Sequence, residues 1–163
     1  MTFTCTQCGQ QHDGLPDLGF AMPHHAYVLD EAERATRAVL TEDTCVINNE
    51  DFFIRGVLKI PLIDSDGYLG YGVWVSQSEE NFYSYVASPN STEIGPYFGW
   101  FCSDISEFAP TLSLKSRAHF QGEGLRPLIE LAPDSHPLAV AQQEGITLAR
   151  AWEIVHQYLP AAS

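Results

Sequence analysis

Basic side chains are scarce in this chain. Eight Lys and Arg stand against 21 Asp and Glu, a net charge of −13 over 163 residues. Such a chain repels phosphate backbones and anionic lipid, so nucleic acid and membrane surfaces are poor partners; a basic protein partner is electrostatically permitted. Long apolar runs are also missing, since nothing approaches the ~20 residues that span a bilayer. The opening Met1-Thr2-Phe3-Thr4-Cys5 has neither the basic n-region nor the apolar h-region of a secretion signal, so a cytoplasmic location is expected. In that compartment the four cysteines read as thiols or metal ligands, not disulfides. Internal repeats, low-complexity tracts and long linkers are absent. No G-x-S-x-G or comparable nucleophile motif occurs, so no catalytic residue is assigned and the reading leans away from an enzyme.

What is present describes a globular chain. Hydrophobic residues make up 45% and aromatic residues 12%, enough for a packed core. One domain over 1–163 is expected, with an N-terminal segment (1–28) and a body (29–163). The N-terminal segment is rich in turn formers, among them Gly14, Pro16, Gly19 and Pro23, and needs something to hold it in place. Asp30 with Glu33 forms a capping-box start for a helix over Glu31 to Leu40. Alternating apolar residues predict strands at Thr44–Ile47, Phe52–Leu62, Tyr68–Ser76, Tyr97–Cys102, Thr111–Phe120 and Arg126–Leu131. Asn48-Asn49-Glu50-Asp51 reads as a polar turn. Ser78 caps a helix to about Val86, and Ser135 is the expected cap of one with Pro137 in its first turn and Gly145 at its end. Thr147 caps a last helix whose Leu148, Trp152, Val155 and Leu159 recur at helical spacing. The order predicts an α+β fold, a mainly antiparallel sheet with helices packed on it.

The most specific chemistry is Cys5-Thr6-Gln7-Cys8-Gly9, a C-x-x-C followed by glycine. Two thiols at that spacing reach one zinc ion, and His12, His24, His25 and Cys45 compete for the two remaining positions of a tetrahedral structural site. A zinc knuckle would clip a segment with little core of its own. Thioredoxin-like chemistry is a poorer reading, because the sequence after Cys8 is not a helix pattern.

The chain resembles a bacterial family known as domain of unknown function 2199. The resemblance rests on C-x-x-C-G-x-x-H-x-x-L-P from Cys5 to Pro16, then Asp43-Thr44-Cys45-Val46-Ile47, Phe53-Ile54-Arg55-Gly56 and Gly72-Val73-Trp74-Val75-Ser76. It continues through Asn81-Phe82, Tyr97-Phe98-Gly99-Trp100, Thr111-Leu112-Ser113-Leu114-Lys115, Arg126-Pro127, His136-Pro137-Leu138-Ala139 and Gly145-Ile146-Thr147. The family implies no activity. It does imply a ligand set, because Cys5, Cys8, His12 and Cys45 all fall on its pattern, and these four are the expected structural zinc ligands. Cys102 lies outside it and reads as a buried thiol.

The few basic residues cluster on predicted strands. Arg55, Lys115 and Arg126, with Trp74, Trp100 and the helix-start His136, are candidate lining for a ligand pocket on the sheet. The plainer reading is cross-strand pairing with carboxylates. The function expected overall is a cytoplasmic protein-binding domain with a basic partner and an N-terminal zinc clip. The alternative is an enzyme or small-molecule sensor using the basic and aromatic pocket. Asp64-Ser65-Asp66-Gly67 is a turn and not a calcium loop, as its glycine stands in the wrong position.

Overall fold

The computed structural model of the chain describes residues 2–4 and 11–158, with side chains from 14 to 158. A long hairpin carries the sheet: strand β6 (Asp51–Pro61) pairs antiparallel with β7 (Tyr68–Gln77) along its whole length. Alternation sends Ile54, Leu58 and Ile60 of β6, and Leu69, Tyr71, Val73 and Val75 of β7, to one fully buried face. Phe53 and Trp74 belong to a second, smaller core on the other face. The register sets Arg55 opposite Trp74.

On one side of β6, strand β5 (Thr44–Ile47) pairs with its first half, and β4 (Ala38–Leu40) pairs with β5. Further along the same edge, β10 (Leu128–Leu131) meets β6 in parallel, at Val57. Strand β9 (Lys115–His119) follows β10 and β8 (Tyr97–Trp100) follows β9, both antiparallel. Just beyond β8, Phe101 bridges Val75, and the Cys102 N–H donates to the Trp74 carbonyl at 2.8 Å. The strand path therefore returns to β7, and β8 ends against the smaller core. The predicted α+β class holds, with parallel pairs at β10–β6 and between β3 (Leu18–Gly19) and β7 among the antiparallel ones.

Helices α3 (Glu79–Ala87), α4 (Pro137–Glu144) and α5 (Leu148–Tyr158) add Phe82, Leu138, Trp152, Ile154 and Val155 to the main core. Ser78 caps α3 through the Asn81 N–H, and the Thr147 hydroxyl accepts from the Arg150 N–H at the start of α5. Glu107 ties the end of α5 to the sheet: Tyr71 Oη donates to it at 2.6 Å and Tyr158 Oη at 2.8 Å. Burial first, and then this carboxylate, push both phenols above the usual tyrosine range. No helix among the described residues is long and apolar enough to cross a membrane.

Two expectations need correction. The helix from Glu31 stops at Arg37 (α2), and Ala38–Leu40 is strand β4, because Ala38 to Leu40 pair with Ile47 to Cys45. Pairing with an available edge outweighs a weak helix preference. The cap of α4 is His136, not Ser135: its Nδ1 accepts from the Leu138 N–H at 3.0 Å, while Nε2 meets the Pro110 carbonyl.

The N-terminal segment is held by pairing and packing across the smaller core. Strand β3 (Leu18–Gly19) runs parallel to β7, the Trp74 Nε1–H donates to the Phe20 carbonyl at 2.8 Å, and the His24 N–H donates to the Cys102 carbonyl at 2.8 Å. Ala26 of helix α1 (His24–Tyr27) is buried in the same cluster. The zinc knuckle is not supported. Cys5 and Cys8, between β1 (Thr2–Thr4) and β2 (Gln11–Asp13), and the His12 side chain lie outside the described residues. Cys45 is fully buried among apolar neighbours, and the described residues contain no group of three or more His, Cys, Asp or Glu placed to hold a metal.

Candidate functional site

The six residues expected to form one pocket divide into separate places. Arg55 and Trp74 do meet: the guanidinium carbon lies 5.9 Å from the indole centroid. Arg126 joins them through Asp43, whose Oδ1 accepts from Arg126 Nε at 2.7 Å and whose backbone carbonyl accepts from the Arg55 N–H at 2.9 Å. Arg55 Nη1 donates to the Glu42 carbonyl at 3.3 Å, while its buried Nε has no partner. Burial, then the neighbouring Arg126, lower the pKa of Arg55. The guanidinium lies over Gly19 and Gly72: a β-carbon at either would stand 3.2 or 3.3 Å from Nη2. Arg126 is thus paired with a carboxylate as the plain reading expected, and Arg55 is held by a carbonyl and an aromatic face instead.

His136 spends both ring nitrogens on the backbone of Pro110 and Leu138, which makes it a cap. Lys115 stands opposite Trp100 in the β8–β9 register and lines a cavity of about 310 Å³ with Phe98, Arg117 and Glu130. Trp100 belongs to a different cavity.

That cavity, about 350 Å³, opens at the end of the smaller core. Its lining includes Phe53, His25 and Trp100, the carboxylates Glu50 and Asp51, and Gln77. The His25 ring lies 5.0 Å from that of Phe53. Trp100 and Phe98 are alternate residues of β8, so both project from one face of the strand; their rings meet edge-on at 5.0 Å. They are 45% and 48% exposed; Trp100 lines this recess, and Phe98 lines the neighbouring cavity of Lys115 and Arg117. Gln77 is only 8% exposed. Its Nε2 donates to the Ser76 and Phe98 carbonyls at 2.7 and 3.2 Å, which fixes the amide orientation and leaves Oε1 buried with nothing donating to it. An unpaired buried acceptor costs about 1–3 kcal/mol. Gly99 permits this arrangement: a β-carbon there would stand 2.3 Å from the Ser76 carbonyl oxygen.

Cys102 completes the wall as an unreactive thiol. Burial, aided by the Asp51 carboxylate and opposed by a hydrogen bond at the Ser76 backbone, pushes it up to about 12; burial alone pushes Cys45 up to about 11. Neither thiol supplies a thiolate at neutral pH. The same shifts bear on stability. A group whose pKa is raised by folding stabilises fully below its unfolded value and loses that contribution as pH climbs through the folded value. Stability should therefore hold up to the ordinary thiol range near 8.5 and then fall. With two thiols protonated only in the folded state, the slope is about 2.7 kcal/mol per pH unit. Urea midpoints across this range should show the fall, and the Cys45→Ala, Cys102→Ala double variant should flatten it. An unchanged slope in that variant would contradict the assignment.

A larger cavity, about 430 Å³, holds a His119–Glu130 pair at 3.2 Å. The two side chains are 43% and 64% exposed, so water screens the pair.

Sequence reasoning missed Glu50, Asp51, Gln77 and His25 as one group. The turn after β5 was recognisable, but not that β8 comes back beside it. A family model described as "Uncharacterized protein conserved in bacteria (DUF2199)" matches residues 4–146, and the chain belongs to that family. No curated protein and no solved structure matches it.

Proposed function

Starting from membership of that bacterial family, we propose that the chain is a cytoplasmic binding domain for a basic protein partner, docking through the Phe98–Trp100 face of β8. One observation carries the reading: Trp100, 45% exposed, lines a recess that also holds Glu50 and Asp51, and Phe98, 48% exposed, meets the indole edge-on on the same face of β8. Exposed tryptophan beside a recess is the usual composition of an interface anchor. The net charge of −13 favours a cationic partner and speeds encounter with it. The buried thiols offer no activated nucleophile and the His119–Glu130 pair is open to solvent, which is why binding is preferred to catalysis.

The reading is tested by capture from bacterial lysate on immobilised protein, comparing the native chain with Trp100→Ser. The variant alters an exposed side chain and should keep the native circular dichroism spectrum. A basic protein should be retained by the native chain, released by high salt, and lost from Trp100→Ser by about thirtyfold, the loss of an anchor worth about 2 kcal/mol. Equal retention by both proteins would contradict docking at this face.

A further inference from the structure

The recess beside Trp100 has a charge and a size that an aromatic docking face does not by itself require. Glu50 and Asp51 on its lining have no ion pair among the described residues, and no Lys or Arg lines it. Its lining includes the exposed indole of Trp100, a ring of the kind that attracts cations. Gln77 adds a buried oxygen with no donor. Carboxylates, ring faces and an unsatisfied carbonyl all favour a group that is positive and rich in N–H. At about 350 Å³ the recess is near the lower limit for small-molecule pockets, a size for one side chain and not for a nucleotide-like cofactor.

We infer that this recess receives a single guanidinium or ammonium group, presented as an Arg or Lys side chain of the basic partner. The inference rests on the docking reading above and deepens it. The cation would stack on Trp100, pair with Asp51 and Glu50, and bring N–H donors toward the Gln77 amide. His25 is the one lining side chain able to take positive charge itself, so the recess is probed at about pH 8.

The test is a titration of nitrogen-15-labelled protein with N-acetyl-arginine amide, set against the neutral isostere N-acetyl-citrulline amide. The arginine probe should shift the Trp100 indole N–H and the Gln77 side-chain amide saturably, with a Kd in the millimolar range. The citrulline probe should bind at least tenfold more weakly, and so should the arginine probe to the Glu50→Gln, Asp51→Asn double variant. Equal responses to the two probes, or no saturable shift with the arginine probe, would overturn the inference. If Trp100-dependent capture persists while the arginine probe gives no shift, the docking face stands and the recess fails. If the probe saturates the recess while capture ignores Trp100, the docking face fails and the cation site stands.

Discussion

Trp74→Ala is expected to lower stability by about 3–5 kcal/mol, a fall of roughly 6–20 °C in Tm for a chain of this length. Trp74 is fully buried at the centre of the smaller core, among Ala26, Cys45, Ile47, Phe53 and Cys102. Its backbone carbonyl accepts from Cys102 where the strand path returns to β7, and its indole N–H donates to Phe20. Truncation removes the packing and leaves the Phe20 carbonyl without its donor. The N-terminal residues packed across this face should then become the first site of limited proteolysis. Trp74→Phe keeps most of the packing and loses the hydrogen bond, so it should cost a minor part of that amount. A loss below about 1 kcal/mol for Trp74→Ala in thermal or urea unfolding would show that the smaller core contributes little.

Gly99→Ala is expected to destabilise by about 3 kcal/mol, because the clash is with backbone and not with a flexible side-chain end. The added carbon would stand 2.3 Å from the Ser76 carbonyl oxygen and 2.9 Å from Gln77 Nε2, so β8 must lift away from β7. The same shift displaces Phe98 and Trp100 on either side, and the variant should lose the basic partner as well as stability. Here the strand requires glycine because another backbone approaches it closely, not because of its dihedral angles. A Tm within 2 °C of the native value, roughly 1 kcal/mol, would contradict the close contact of β8 with β7.

Local order was legible in the sequence wherever one element dictates its own pattern. The period-2 run from Phe52 to Ile60 placed Ile54, Leu58 and Ile60 on one face, and they are buried together. The capping box at Asp30 and Glu33 and the Thr147 cap are present as read, and Gly145 ends α4 with φ 84°. Partnerships between distant segments were not legible. Ala38–Leu40 is a strand only because β5 offers an edge. His136 took the cap expected of Ser135, since an imidazole nitrogen in the right place accepts as well as a hydroxyl. The six expected pocket residues show the same limit. Arg55 and Trp74 were joined by the β6–β7 hairpin, whose register follows from its turn, and Asp43 brought in Arg126. Trp100 and Lys115 depend on β8 and β9, whose place is set by closure of the strand path around β7. Glu50 and Asp51 read as turn residues, and only that closure puts Trp100 and Gln77 beside them.

The central claim is that β8 and the recess beside it form the docking face. Amide hydrogen exchange of the chain alone and with its captured basic partner tests this most directly. The account predicts added protection at Tyr97–Trp100 and at residues 50–53, with the β4 edge at Ala38–Leu40 unchanged. Protection confined to β4, or to Lys115–His119 with β8 and residues 50–53 unaffected, would contradict it.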